Sequence, residues 1–138
     1  MAKVSVSVTL AAPAARVWDF IGGFQALAEW SSSIKSSAPE QGGRVRRLKT
    51  TDGAVIAERL QSFSEAQREY SYTMVSGPIP VSNYRSTLRV LDGAGAADCT
   101  VEWSSEFDAV AAIEDAMVDV YRHLYQSAFA DLKRIMGI

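Results

Sequence analysis

"AVAAIEDAMVDVYRHLYQSAFADLKRIM", residues 109–136, is where the chain changes its period. Its apolar residues fall at Ile113, Met117, Val120, Tyr121, Leu124, Ala128, Leu132 and Ile135, steps of three and four that make one stripe of a helix. About 25 residues at 1.5 Å each give a helix of roughly 38 Å. Glu114 and Asp115 near its start, and Lys133 and Arg134 near its end, complement the helix dipole. One long amphipathic helix at the end of the chain needs a partner surface, and the preceding residues must supply it.

Working backwards, those residues read as strands. Val4, Val6, Val8 and Leu10 alternate with Ser5, Ser7 and Thr9, the period-2 mark of a half-buried strand. "APAARVWDFIGG" (12–23) then has a proline suited to a first helical turn, a stripe of Val17, Phe20 and Ile21, and two glycines that stop the helix. "FQALAEW" (24–30) adds one or two further turns. Six strands are predicted near 33–39, 43–50, 54–64, 67–76, 82–92 and 97–107, with turn signals such as "DG" at 52–53 and "DGAGAAD" at 92–98 between them. Breaks about every ten residues indicate an antiparallel meander and argue against βαβ units. The order is therefore strand, two short helices, six strands, long helix. Such a sheet cannot close as a sandwich. It is expected to curl around the helix, an α+β arrangement that leaves a concavity able to hold a pocket.

Composition narrows the function. The 138 residues suit a single domain over 1–138, with 48% hydrophobic and 22% charged content typical of soluble proteins. A net charge of -2 offers no field to draw nucleic acid. The lone Cys99 excludes an internal disulfide and suits a reducing compartment. "MAKVSVSVTL" alternates from its start and has no signal-peptide pattern, and no apolar run reaches the ~20 residues of a membrane span. A cytoplasmic location is expected. His123 is the only histidine and falls on the flank of the last helix, so it reads as a solvated side chain. Without HExxH, CxxC, GxGxxG or a Walker lysine loop, neither a metal nor a cofactor is expected.

Strand alternation sorts the remaining chemistry. Tyr70, Tyr72 and Met74 share one face, as do Tyr84, Ser86, Leu88 and Val90, and as do Cys99, Val101, Trp103, Ser105 and Phe107. The opposite faces carry Arg85, Arg89, Glu102 and Glu106 and read as the solvent side. Over 54–63 the inward set is ambiguous. If Ile56 and Leu60 point inward, Glu58 goes with them, and an inward carboxylate requires a hydrogen-bond partner or water. Pairing with an arginine at the sheet surface is the competing reading.

The stretches "PAARVWDFIGGFQALAEW", "AVIAERLQSF", "YSYTMVSGPIPVSNYRSTLRV" and "CTVEWSSEFDA", with the order of elements, resemble the SRPBCC superfamily over residues 3–136. The match is to its polyketide cyclase/dehydrase type-2 group, with the Bet v 1-like, START-like helix-grip fold. The resemblance implies a seven-stranded antiparallel sheet curled around the C-terminal helix, over an apolar cavity. It is also similar to the plant abscisic acid receptors of that superfamily. Their cavity-facing "ERLE" glutamate matches Glu58 in "AERLQ", and their "NYxS" tyrosine and serine match Tyr84 and Ser86. Two more lining positions fall at Tyr72 and Met74, and the latch loop falls at "SGPIPV" (76–81), with Val81 facing the cavity. The lysine that holds the hormone carboxylate falls at Ser31, and the gate motif falls at "TTDGA" (50–54), which does not resemble it. Hormone binding is not implied.

The first function expected is binding of a small hydrophobic ligand, in a cavity lined by Trp30, Glu58, Tyr72, Met74, Tyr84, Ser86, Trp103, Met117, Tyr121 and Leu124. Ile79 and Val81 in the proline-stiffened loop are candidate lid residues. The alternative is a cyclase- or dehydratase-like enzyme using Glu58 as acid or base with Tyr84 polarising an oxygen. A third expectation is a structural or interaction protein, with a homodimer one possible form, although nothing in the sequence marks an interface.

Overall fold

A computed structural model describes residues 1–138. In chain order the elements are β1 (Ala2–Leu10), α1 (Ala14–Ile21), α2 (Leu27–Trp30), β2 (Ile34–Glu40), β3 (Val45–Thr50), β4 (Val55–Ser64), β5 (Glu69–Ser76), β6 (Ser82–Asp92), β7 (Cys99–Asp108) and α3 (Glu114–Met136). The sheet runs β1-β7-β6-β5-β4-β3-β2 with seven strands, all pairs antiparallel. From β2 to β7 it is the meander that the turn spacing predicts, and β1 closes the order by pairing with β7. No helix is long and apolar enough to cross a membrane.

Alternation decides which face meets the helix. On β7, Cys99, Val101, Trp103, Ser105 and Phe107 are buried while the residues between them are not, as predicted. The stripe of α3 is rotated from the predicted one. Tyr121, Tyr125, Ala128, Phe129 and Leu132 are buried, whereas Val120 and Ile135 are exposed. Tyr125 and Phe129 continue from Tyr121 at successive i+4 steps, and the sheet wraps this aromatic flank. The helix also begins at Glu114, not at Ala109, its first amide bond running from Met117 N–H to the Ile113 carbonyl. It ends where Gly137 adopts φ 71°, letting the Gly137 and Ile138 amides close on the carbonyls of Arg134 and Lys133.

The glycine that ends α1 serves a different purpose. Gly22 has ordinary helical φ, but a Cβ there would lie 2.5 Å from Cε2 of the buried Trp18. The Trp18 ring packs over the helix end only because no side chain is present.

Two register shifts bend β4 against β5, between Ala57 and Glu58 and between Leu60 and Ser62. Bulges of this kind increase local twist and bend the bulged strand. They also explain why 54–63 resists reading by alternation: Ala57 and Glu58 are consecutive and both buried.

Candidate functional site

Where the bent sheet and α3 diverge, a cavity of about 40 Å³ remains, walled mainly by apolar and aromatic side chains. The sheet supplies Leu48, Ile56, Glu58, Tyr72, Met74, Tyr84 and Trp103; α3 supplies Tyr121, Leu124 and Tyr125. Leu27, Ser31 and Ile34 come from α2 and the start of β2, and Ile79 comes from the loop between β5 and β6.

Of the residues expected to line a cavity, Glu58, Tyr72, Met74, Ile79, Tyr84, Trp103, Tyr121 and Leu124 border it. Trp30 does not; it is fully buried behind the wall, its ring 5.6 Å from that of Trp103. Ser86 also lies behind the wall, accepting from Trp103 Nε1 at 2.9 Å and donating to the Ser104 carbonyl at 2.9 Å. Met117 packs against the core without reaching the void. Val81 borders a shallow outer groove with Pro80 and Ala109 instead. His123 is exposed, as its helix position predicts.

One wall is rigid by construction. Trp103 and Tyr125 stack at 4.2 Å with rings 17° apart, and Tyr84 lies 4.8 Å from Tyr121. The Tyr84 and Tyr125 hydroxyls hydrogen-bond to each other, and Trp103 Nε1 also donates to the Tyr72 hydroxyl at 3.1 Å. Burial pushes the hydroxyls of Tyr72, Tyr84 and Tyr121 up from the usual tyrosine value, and that of Tyr125 up to about 12. These groups stay protonated in the folded protein at neutral pH.

The neighbouring strand β4 contributes Glu58 to the lining, and its partner is not at the sheet surface. Arg46, directly across from it on β3, is 0% exposed. Arg46 Nε donates to Glu58 Oε1 at 2.8 Å, and Nη2 makes an ion contact with the same oxygen at 2.8 Å. Nη1 donates to the Phe24 carbonyl at 2.8 Å and to the Tyr70 hydroxyl at 3.2 Å. The guanidinium carbon sits 4.3 Å from the Phe24 ring centre and 4.6 Å from that of Tyr72. Burial pushes the Glu58 carboxyl above the usual range, with Arg46 opposing that shift. Arg46 itself is held firmly protonated: burial alone would lower it, but the surrounding tyrosines and Glu58 more than offset that.

Sequence reasoning left out six of the lining residues, Leu27, Ser31, Ile34, Leu48, Ile56 and Tyr125, and also Arg46, which lies behind Glu58. Tyr125 had a usable signal, lying four residues after Tyr121 on the same helix face. The Ser31 hydroxyl pairs with that of Ser33 at 3.2 Å at the cavity edge.

A seven-stranded antiparallel sheet gripping a long C-terminal helix over an interior cavity defines the helix-grip, START-like class of the SRPBCC superfamily. The chain belongs to the family described as polyketide cyclase / dehydrase and lipid transport, whose model matches residues 1–137. Its structure is similar to that of the protein XoxI from Bacillus cereus, with 35% identity, a TM-score of 0.95, and coverage of 98% of this chain and 95% of that one. An uncharacterized protein from Bacillus thuringiensis is 34% identical with a TM-score of 0.95, covering 99% of this chain and 100% of that one. A START superfamily protein from Mycobacterium smegmatis shares the fold at 16% identity, with a TM-score of 0.70 and coverage of 96% and 98%. None of the curated proteins compared with the chain matches it.

Proposed function

We propose that the chain binds a small lipophilic molecule between the concave sheet face and α3. The observation that carries this reading is the central void itself, apolar and aromatic in its walls with a few convergent polar groups. At about 40 Å³ it has room for only a few waters, whereas small-molecule pockets span about 300–1,000 Å³. Binding therefore requires side chains to move. Ile56, Met74, Ile79 and Leu124 are the half-buried members of the wall and make no side-chain hydrogen bonds, so they yield first. The stacked and hydrogen-bonded Trp103, Tyr125 and Tyr84 remain as the fixed surface. A cytoplasmic binder of this kind needs neither metal nor cofactor. Native mass spectrometry of the purified protein should reveal a retained molecule, and N-phenyl-1-naphthylamine should brighten on addition. A protein that retains nothing and takes up no dye would overturn the reading.

A catalytic reading is favoured by one specific observation. Glu58 is a buried carboxyl with a raised proton affinity and one oxygen free of protein donors, which suits general acid or base work. The family description includes cyclases and dehydrases. The Tyr84 hydroxyl is engaged by Tyr125, so to polarise a substrate oxygen it would have to exchange that bond. Glu58→Gln should then abolish turnover of a polyketide-like substrate while sparing dye uptake; unchanged turnover rejects it.

A further inference from the structure

The polar groups of the cavity wall differ in what they still have to offer. Both Arg46 contacts fall on Glu58 Oε1, and no protein group donates to Oε2. The Glu58 side chain keeps 10% of its surface open, whereas Arg46 keeps none. Tyr121 is 4% exposed, borders the void, and its hydroxyl has no partner. The Tyr72 hydroxyl accepts from Trp103 and retains its own hydrogen. The void thus faces an open acceptor and open hydroxyls, with the only nearby cation hidden behind Phe24 and Tyr72 and already spent on Glu58.

An ammonium group entering here would meet a carboxylate whose charge is already neutralised, and would lose its hydration without a net counter-charge. A ligand carboxylate would face Oε2 with no cation within reach. A neutral hydroxyl loses little on entry, can donate to Oε2, and can accept from a tyrosine.

Resting on the ligand-binding reading above, we propose that Arg46 is the specificity-determining residue of the cavity, an internal counter-ion that makes it select neutral hydroxyl-bearing ligands over charged ones. It acts through Glu58 rather than by touching the ligand. Removing either member of the pair should therefore redirect the selection instead of merely weakening it. With Glu58 gone, the stranded guanidinium favours an anionic end; with Arg46 gone, the stranded carboxylate favours a cationic one.

Calorimetric titration with 2-naphthol, 2-naphthoate, 2-naphthylmethylammonium and naphthalene tests this on one ring system. The wild-type protein should bind 2-naphthol about tenfold or more tighter than the other three. Glu58→Gln, which is nearly isosteric, should move the preference to 2-naphthoate, and Arg46→Met, where it folds, to the ammonium. If all four probes bind alike, or if Glu58→Gln keeps the wild-type order, the proposal is overturned while ligand binding stands. If none binds, naphthalene included, the ligand-binding reading falls and the proposal falls with it.

Discussion

Arg46 and Glu58 stand opposite one another on β3 and β4, and the arginine reaches its partner with two nitrogens on a single carboxylate oxygen, each at 2.8 Å. A buried ion pair of this kind contributes little net stability compared with well-packed apolar residues, but breaking it is expensive. Arg46→Leu would leave Glu58, the Phe24 carbonyl and the Tyr70 hydroxyl without their donor. It should destabilise the fold by about 3–5 kcal/mol. The double variant Arg46→Leu with Glu58→Leu should lose less than the single one. Urea unfolding of both, read as a double-mutant cycle, measures the coupling; an additive result would deny it.

Alkali should unfold this protein in step with its tyrosines. Tyr72, Tyr84, Tyr121 and Tyr125 hold their protons above the ordinary value, mainly because they are buried. Unfolded tyrosine ionises near pH 10, so above about that pH the folded state binds more protons than the unfolded one and stability falls as pH rises. The stabilisation is complete below about pH 10 and is lost towards the folded values. The melting temperature should be flat near neutrality and drop steeply in alkali, with phenolate absorbance appearing in the same transition as loss of structure. Phenolate formation by all these residues in a still-folded protein would contradict the burial.

How much of this could be read beforehand depended on regularity. The faces of β6 and β7 follow from strict alternation, so Tyr84, Ser86 and Trp103 were assignable to the inside from sequence. Alternation fails on β3, where Val45 and Arg46 are both buried, and on β4, where the bulges bury Ala57 with Glu58. Glu58 could be singled out as costly, but its partner depended on a register that only the folded sheet fixes. Ser86 was placed on the right face of the sheet and Trp30 at the end of a short helix, and both still lie behind the wall, because aromatic packing fills the space in front of them.

The turn between α2 and β2 is tied to the C-terminal helix by one carboxylate. Asp131 accepts from the Ser32 amide at 2.9 Å and from its hydroxyl at 2.6 Å, next to Ser31 in the cavity wall. Partial burial works against the charge, but the Ser32 hydrogen bonds and Arg134 still hold this carboxyl below its usual range. Its contribution is therefore present above the unfolded carboxylate value and lost as pH falls through the folded one. Asp131→Ala should cost about 1 kcal/mol at neutral pH. Hydrogen exchange should show the Ser32 amide opening faster, with the strands of the sheet unaffected. An unchanged Ser32 rate would mean the tether carries no load.

The loop between β5 and β6 separates two residues that the sequence grouped together as a lid. Ile79 borders the cavity with Met74 and Leu124, whereas Val81 borders an outer groove, their connection tightened by a Val81 amide bond to the Ile79 carbonyl at 2.8 Å. Pro78 and Pro80 fix φ on either side of Ile79, so it is presented to the cavity by a stiff loop. Shortening Ile79 opens the mouth directly; shortening Val81 does not. Ile79→Ala should accelerate dissociation of N-phenyl-1-naphthylamine severalfold, as expected when most of an affinity change appears in the off-rate. Val81→Ala should leave it unchanged. Stopped-flow release distinguishes the two, and equal effects from both substitutions would mean that the whole loop moves as one lid and that Ile79 alone does not gate entry.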